Sequence, residues 1–399
     1  MFSTMEKATR QQTKDHNTRL VLKTIYEARE ISRAEVARRT GLTRPTVSTI
    51  VAGLLAEDYI NESGTGLSAG GKPPTLIQVK PDGRHLLALD LSGPSYRGAL
   101  VNLHGQIDTL IDLPARDKEG EEALDLVYHL MDQLFQTVRV PLLGLGVATP
   151  GLVDPTNGIV LRSVNLSWSN LPLRELLEKR YRLPTYIAND SHMATLAEYT
   201  YGVQRDSNNL IVLSVGQGVG AGIVLDGRPF YGDGFGAGEI GHVVVAPEGD
   251  LCTCGNRGCL ETTSSVRAIL RRAETAAAHS SATQLAGPVP ITWTHFVAAA
   301  VNHDPLAVDI AVQAGRTIGT AIANLAGAYN IRHIIVTGQI ADLGEVLLDA
   351  VVAEMHQRVL PSMAAMTRVD FTSLQPEQAR HNVILGCSAL VLQQELGII

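Results

Sequence analysis

Between residues 31 and 60, in "ISRAEVARRTGLTRPTVSTIVAGLLAEDYI", the apolar positions recur at helical spacing and are interrupted once. Val36 and Ala37 face inward on a short first helix, and Val47, Ile50, Val51, Leu54 and Leu55 form one stripe on the next. Ser32 and Glu35 have the S-x-x-E spacing of a capping box at the start of the first helix, and Gly41 supplies the left-handed residue that stops it. Thr43 caps the second helix, with Pro45 acceptable in its first turn. Upstream, Leu20, Val21, Leu22 and Ile25 predict a further helix that completes a three-helix core. The stretch from 61 to 81, "NESGTGLSAGGKPPTLIQVKP", predicts a Gly-rich β-hairpin ending in a strand with Leu76, Ile77 and Val79, its tip carrying Lys72.

This pattern describes a winged helix-turn-helix. The stripe leaves Arg44, Thr46, Ser48 and Thr49 on the outer face near the start of the second helix, where such modules place contacts to base edges. Arg44 has the reach for a guanine or a phosphate, and Lys72 suits the backbone or the minor groove. A plain three-helix interaction module with a flexible linker is the alternative.

From residue 84 the pattern changes to short, continuous apolar runs. "HLLALDLSGPSYRGALVNLHGQ" (85–106) reads as strand, turn and strand, and "NLIVLSVGQGVGAGIVLDGRPF" (209–230) repeats that layout. The repetition predicts an internal duplication in which each copy opens an α/β lobe, with further buried strands in "LLGLGVATPG", "PTYIANDS" and "HIIVTGQ". The expected organisation is a DNA-binding domain over 1–81, a first lobe over 82–198 joined by the C-terminal helix of about 380–399, and a second lobe over 199–379 carrying the dimerisation surface. Two α/β lobes would face a ligand cleft.

Composition narrows the setting. The 399 residues, 45% of them hydrophobic, allow two or three domains with proper cores. No apolar run approaches the roughly 18 residues of a membrane span, and the opening "MFSTMEKATRQQTKDHNTRL" lacks the apolar core of a secretory signal. A cytoplasmic protein with reduced thiols and no membrane insertion is expected. Residues 1–80 hold twelve Lys and Arg against eight Asp and Glu, whereas the whole chain carries −7. A basic head on an acidic body points to a polyanion at the N-terminus, namely a double-stranded DNA operator. One winged module reads one half-site, so a homodimer on a palindromic operator is expected, and dimers could pair further.

Three of the four cysteines fall in "CTCGNRGCLE" (252–261). Cys252, Cys254 and Cys259 have C-x-C-x4-C spacing with glycines that let the loop close, and in a reducing compartment this favours a metal. A closed tetrahedral zinc site needs a fourth ligand, and His242 in "EIGH" is the best candidate. Buried free thiols fit poorly with the polar Thr253, Asn256 and Arg257 between them. One structural zinc per chain is expected, with no open position for catalysis. Cys387 reads as an inert core thiol.

"ATPGLVD" (148–154), "NLSWSNLPLRELLEKRYRLPTYIANDSHMATLAE" (165–198), "GQGVGAGIVLDG" (216–227), "GAGEIGH" (236–242) and the cysteine loop together resemble the ROK family of sugar kinases and sugar-responsive repressors. The resemblance runs from about residue 18 to the C-terminus, and the N-terminal module is similar to that of the repressor branch, which includes xylose and N-acetylglucosamine repressors. It implies an α/β two-lobed, sugar-kinase-like body of the ribonuclease H-like, actin/hexokinase type. It also implies zinc on His242, Cys252, Cys254 and Cys259. A sugar or sugar phosphate would be gripped by Asn189, Asp190, Glu239, His242 and Glu261, with Asn165 a weaker addition.

In the family's kinases the counterpart of Asp190 is the general base, so a kinase remains an alternative. Against it, the phosphate turn D-x-G-G-T is replaced by Asp90-Leu91-Ser92-Gly93-Pro94, and Gln339 in "VTGQIAD" stands where the kinases have a glycine. The intact "GQGVGAG" is equally a hairpin turn. The resulting expectation is a non-enzymatic repressor whose DNA affinity responds to a sugar, with control by a protein partner as a second alternative.

Overall fold

The computed structural model describes residues 9–67, 73–202, 208–280, 282–287 and 290–398. Compactness divides the chain into two units, Met1–Ala188 with Cys387–Ile399, and Asn189–Gly386.

The first unit begins with the predicted head. Helices α1 (Arg10–Ala28), α2 (Arg33–Thr40) and α3 (Arg44–Ala56) bury Val21, Leu22 and Ile25 against Val36 and Ala37 and against Val47, Val51 and Leu54. Local chemistry sets the turn: Ser32 Oγ accepts from Glu35 N at 3.2 Å, Gly41 takes φ +71°, and Thr43 Oγ1 accepts from Thr46 N at 3.3 Å. Only half of the expected capping box forms, because the Glu35 carboxylate turns to Arg38 and Arg39 and the Ser32 side chain caps unaided. Strand β1 (Ile31–Ser32) pairs with β3 (Thr75–Val79), which pairs antiparallel with β2 (Ile60–Thr65), so the wing is a three-stranded sheet. The wing tip with Lys72 lies outside the described residues.

The expected boundary at 81/82 does not separate compact units. Tyr26 of α1 meets His104 edge-on with ring centroids 5.8 Å apart, and Arg84 lies 4.9 Å over the Tyr59 ring, so the head packs onto the sheet that follows. That sheet contains β4 (His85–Asp90), β5 (Ser95–Asn102), β6 (Ile107–Pro114), β7 (Leu142–Thr149) and, after a small antiparallel sheet of β8 (Leu152–Asp154), β9 (Ile159–Ser163) and β10 (Trp168–Leu171), β11 (Thr185–Asn189). Its order is β11-β7-β4-β5-β6. Helices α4 (Gly120–Thr137) and α5 (Leu173–Tyr181) contribute Val127, Leu130, Met131, Leu134, Leu173 and Leu177 to the core beneath it. Cys387 is fully buried with its thiol toward the Leu89 carbonyl at 3.4 Å.

The second unit repeats the sheet. Strands β12 (Leu210–Val215), β13 (Val219–Leu225), β14 (Arg228–Pro229), β15 (His333–Thr337) and β16 (Arg368–Phe371) lie in the order β14-β13-β12-β15-β16. In both sheets two antiparallel pairings follow the first strand, and its other edge takes a parallel partner. The duplication seen in the sequence is therefore one of topology. Helices Pro305–Tyr329 and Glu345–Arg358 cover one face of the second sheet, with Ile318, Ile322, Leu347 and Val351 fully buried.

Helix α6 (Asp190–Tyr201), expected in the first lobe, belongs to the second unit. The reason is close packing on β13: a Cβ at Gly222 would lie 2.0 Å from Thr195 Oγ1, so only glycine lets the helix sit that near the strand. The return to the first unit comes at Cys387 rather than at about 380.

Candidate functional site

Asn189 ends β11 and caps α6, its Oδ1 accepting from Ser191 N at 2.8 Å and His192 N at 3.3 Å. That cap fixes where Asp190 begins the helix. Two residues on, the nearly buried His192 donates from Nε2 to the Ala237 carbonyl at 2.9 Å and meets Tyr231 edge-on at 5.0 Å. Burial pushes the His192 pKa down, so the ring is neutral near pH 7 and the donor role is preserved. Through this bond α6 holds the segment that leads to Glu239.

Glu239 is half-buried, and its Oε2 lies 3.9 Å from His242 Nε2. Burial pushes the Glu239 carboxyl above the usual range, the negative charge of Glu261 adds to this, and His242 opposes it. Glu261 is more committed than its sequence suggested. Its Oε2 accepts from Val219 N at 3.1 Å, inside the β12–β13 hairpin, and its Oε1 pairs with Arg267 at 3.3 Å. Glu239, His242 and Glu261 thus form one polar cluster. Asn189 and Asp190 are tied to it through α6 and the His192–Ala237 bond. Asn165 is exposed in the turn between β9 and β10 of the first unit.

The cysteine loop is folded by its own backbone. Val244 bridges Cys259, Leu251 bridges Arg257, Cys252 N donates to the Asn256 carbonyl at 2.7 Å, and Gly258 N to that of Asp250 at 2.8 Å. These bonds bring donor atoms of His242, Cys252, Cys254 and Cys259 within 4.8 Å of one another, a set that can hold a metal ion. Cys254 Sγ lies 3.6 Å from Cys259 Sγ, and Cys252 Sγ lies 3.5 Å from His242 Nδ1. A tetrahedral centre with metal–sulfur bonds of about 2.3 Å and metal–nitrogen bonds of about 2.0 Å has edges of about 3.8 and 3.5 Å, so the donors fit one. Burial and the neighbouring sulfurs push the Cys259 thiol up to about 12, so a thiolate at Cys259 calls for a compensating cation. Nδ1 faces the sulfurs while Nε2 faces Glu239, which gives the His242 ring two separate duties.

The turn after the first strand of the first sheet is closed by this chain's own side chains. Asp90 is fully buried; its Oδ1 accepts from Ser92 N at 3.0 Å and Ser92 Oγ at 2.5 Å, and its Oδ2 pairs with Arg97. Arg97 was missed in the sequence, although the hairpin register sets it directly opposite Asp90. "GQGVGAG" is the β12–β13 hairpin turn, and Gln217 Nε2 donates to Gln339 Oε1 at 3.3 Å, linking the two Gly-containing turns.

On the head, Arg44, Ser48 and Thr49 are exposed on the outer face of α3. Thr46 is half-buried, with its hydroxyl 2.8 Å from that of Thr43, so it serves the cap.

Comparison with known proteins agrees with both parts. The ROK family model matches residues 86–394, and a winged helix-turn-helix DNA-binding model matches residues 14–61. The chain is 31% identical over 393 residues to a xylose repressor of Caldicellulosiruptor bescii, covering 96% of this chain and 97% of the relative. A ROK family transcriptional regulator, a homolog of the E. coli MLC protein, superposes with a TM-score of 0.83 at 27% identity, over 96% of this chain and 99% of the other. A ROK family glucokinase from Streptomyces griseus, solved with glucose and AMPPNP, superposes with a TM-score of 0.69 at 26% identity over 77% of this chain and 99% of the kinase.

Proposed function

The chain belongs to the ROK family, and from that premise we propose that it is a sugar-responsive transcriptional repressor of carbohydrate uptake and catabolism genes. The observation that carries this reading is the union, on one chain, of a DNA-reading head with a sugar-kinase-type body whose phosphate turn is closed by Asp90, Ser92 and Arg97. The similarity to a xylose repressor makes xylose the first sugar to test.

In this reading Asp190, Glu239 and the Nε2 side of His242 bind sugar hydroxyls, with Asn189 and Glu261 completing the grip. Carboxylates and an imidazole accept and donate in the alternating pattern that adjacent hydroxyls require. His242, Cys252, Cys254 and Cys259 hold one zinc ion. Bound there, zinc would act as a Lewis acid that fixes the imidazole and the loop, with no open position for a substrate. Arg44, Ser48 and Thr49 read the major groove, Thr46 holds the cap that presents them, and Lys72 meets the backbone. The functional form is a homodimer on a palindromic operator, since each head reads one half-site.

A sugar changes DNA affinity only through unequal affinity for the DNA-competent and DNA-incompetent states. The test begins with thermal-shift screening of the full chain against xylose, glucose, N-acetylglucosamine and their phosphates, because a ligand bound to the native state raises the melting temperature by mass action. An operator selected from a random duplex library is then titrated with and without the stabilising sugar. A shift in operator affinity is expected; steady ATP consumption with any of these sugars would overturn the reading in favour of a kinase.

A further inference from the structure

The head is basic in composition, yet from residue 31 to 80 most of its described cations are already paired. Arg33 Nη2 lies 3.0 Å from Glu62, and Lys80 Nζ reaches Asp58 at 2.6 Å. Arg38 grips Glu35 through two bonds, Nε to Oε2 at 2.7 Å and Nη2 to Oε1 at 2.5 Å, while Arg39 Nε shares Oε1 at 3.0 Å. Among the described residues from 31 to 80, Arg44 is the one cation without a recorded carboxylate partner.

Placement makes the Glu35 pairing consequential. Arg38 and Arg39 occupy the last turn of α2, directly before the turn that delivers Arg44 at the start of α3. In a helix-turn-helix the first helix crosses the sugar-phosphate backbone while the second enters the groove. Both guanidiniums remain solvent-accessible, with 74% and 50% of their side chains exposed, whereas the Glu35 side chain retains 29%. A two-bond fork between arginine and carboxylate has the same geometry as the fork between arginine and phosphate, so the two partners compete for one set of donors.

Resting on the DNA-binding reading above, we propose that Glu35 is a specificity-determining residue. It occupies Arg38 and Arg39, the head's phosphate-binding pair, and withholds them from DNA that α3 does not recognise. Only a duplex held in register by base contacts presents phosphates close enough and long enough to displace the carboxylate. Non-specific affinity is thereby lowered while operator binding retains two latent phosphate contacts. The half-formed capping box follows from the same choice: Glu35 is spent on the arginines rather than on the Ser32 N–H.

The experiment uses the full chain and an unrelated 25-base-pair duplex, titrated by fluorescence anisotropy from about 50 to 200 mM salt. Each phosphate newly neutralised steepens the slope of log K against log salt by about 0.9. Glu35→Gln should therefore steepen it by between about one and two units and tighten binding roughly fivefold or more at the lowest salt. Arg38→Ala/Arg39→Ala should remove that gain in the Glu35→Gln background and leave the parent's binding to this duplex nearly unchanged. Glu57→Gln removes the same charge from the C-cap of α3, where no arginine is held, and serves as the electrostatic control. If Glu35→Gln merely tracks Glu57→Gln, the proposal is wrong. If neither parent nor variants bind any duplex at low salt, the DNA-binding function itself falls, a distinguishable failure. Matching circular dichroism melts of all chains exclude loss of fold as the cause.

Discussion

Replacing Arg97 by alanine tests whether the former phosphate turn is locked by its own side chains. Asp90 has no exposed surface, and its carboxylate is satisfied by the Ser92 N–H, the Ser92 hydroxyl and Arg97. Removing the guanidinium leaves a buried carboxylate with hydrogen bonds and no counter-charge, a class of change that costs about 3–5 kcal/mol. One quarter of the Arg97 side chain is exposed, so water replaces part of the lost interaction and the lower end, about 3 kcal/mol, is expected. For a unit of roughly 200 residues that lowers the melting temperature by about 6–12 °C. Asp90→Asn keeps the acceptor for Ser92 and should cost less. The double variant should cost less than the sum of the singles by at least about 1.5 kcal/mol, because it removes the stranded charge. Urea denaturation followed by circular dichroism measures the cycle, with the two units fitted as separate transitions where they resolve. A cost below about 1 kcal/mol for Arg97→Ala, or strict additivity in the cycle, would refute the lock.

Cys254→Ser should lower bound zinc from one per chain toward zero by elemental analysis of chelator-free protein and weaken sugar binding, since the loop also orients His242. Asp190→Asn and Glu239→Gln should leave sugar-free operator affinity within about twofold and abolish its response to sugar; a variant responding like the parent removes these carboxylates from the sensor. Thr43→Ala deletes the cap on α3 and should destabilise the head by about 1 kcal/mol in denaturant titration. Burial pushes the Glu198 carboxyl upward against the opposing bonds from Thr372 and Ser373. A raised native pKa gives stability that is present below the unfolded value near 4.5 and lost as pH rises through the native value, so Glu198→Gln should flatten the decline in stability as pH rises above about 4.5.

What the sequence determined by itself is what short-range chemistry fixes. Ser32, Gly41 and Thr43 set helix ends within a few residues, so the head was legible from capping and a 3.6-residue apolar period. The clustering of the cysteine loop was equally legible, because three cysteines and two glycines within eight positions leave the chain few ways to fold around one point. The repeated strand-turn-strand layout announced two lobes. Tertiary structure decided the contacts between groups with more than one available partner. Glu35 could serve the Ser32 N–H or two arginines one turn away, and the stronger charge-assisted bonds prevail. Asp90 met Arg97 because the hairpin register places them opposite, a distance of seven residues that helical or strand periodicity does not flag. Helix α6 follows β11 in sequence but packs on β13, since Gly220 and Gly222 there admit its Ser191 and Thr195 side chains, and this carries Asp190 to the unit that holds Glu239. Sequence names the donors and acceptors; the packing of distant strands selects which of them meet, because each buried polar group is stable only with the partner that the sheet register and helix approach deliver.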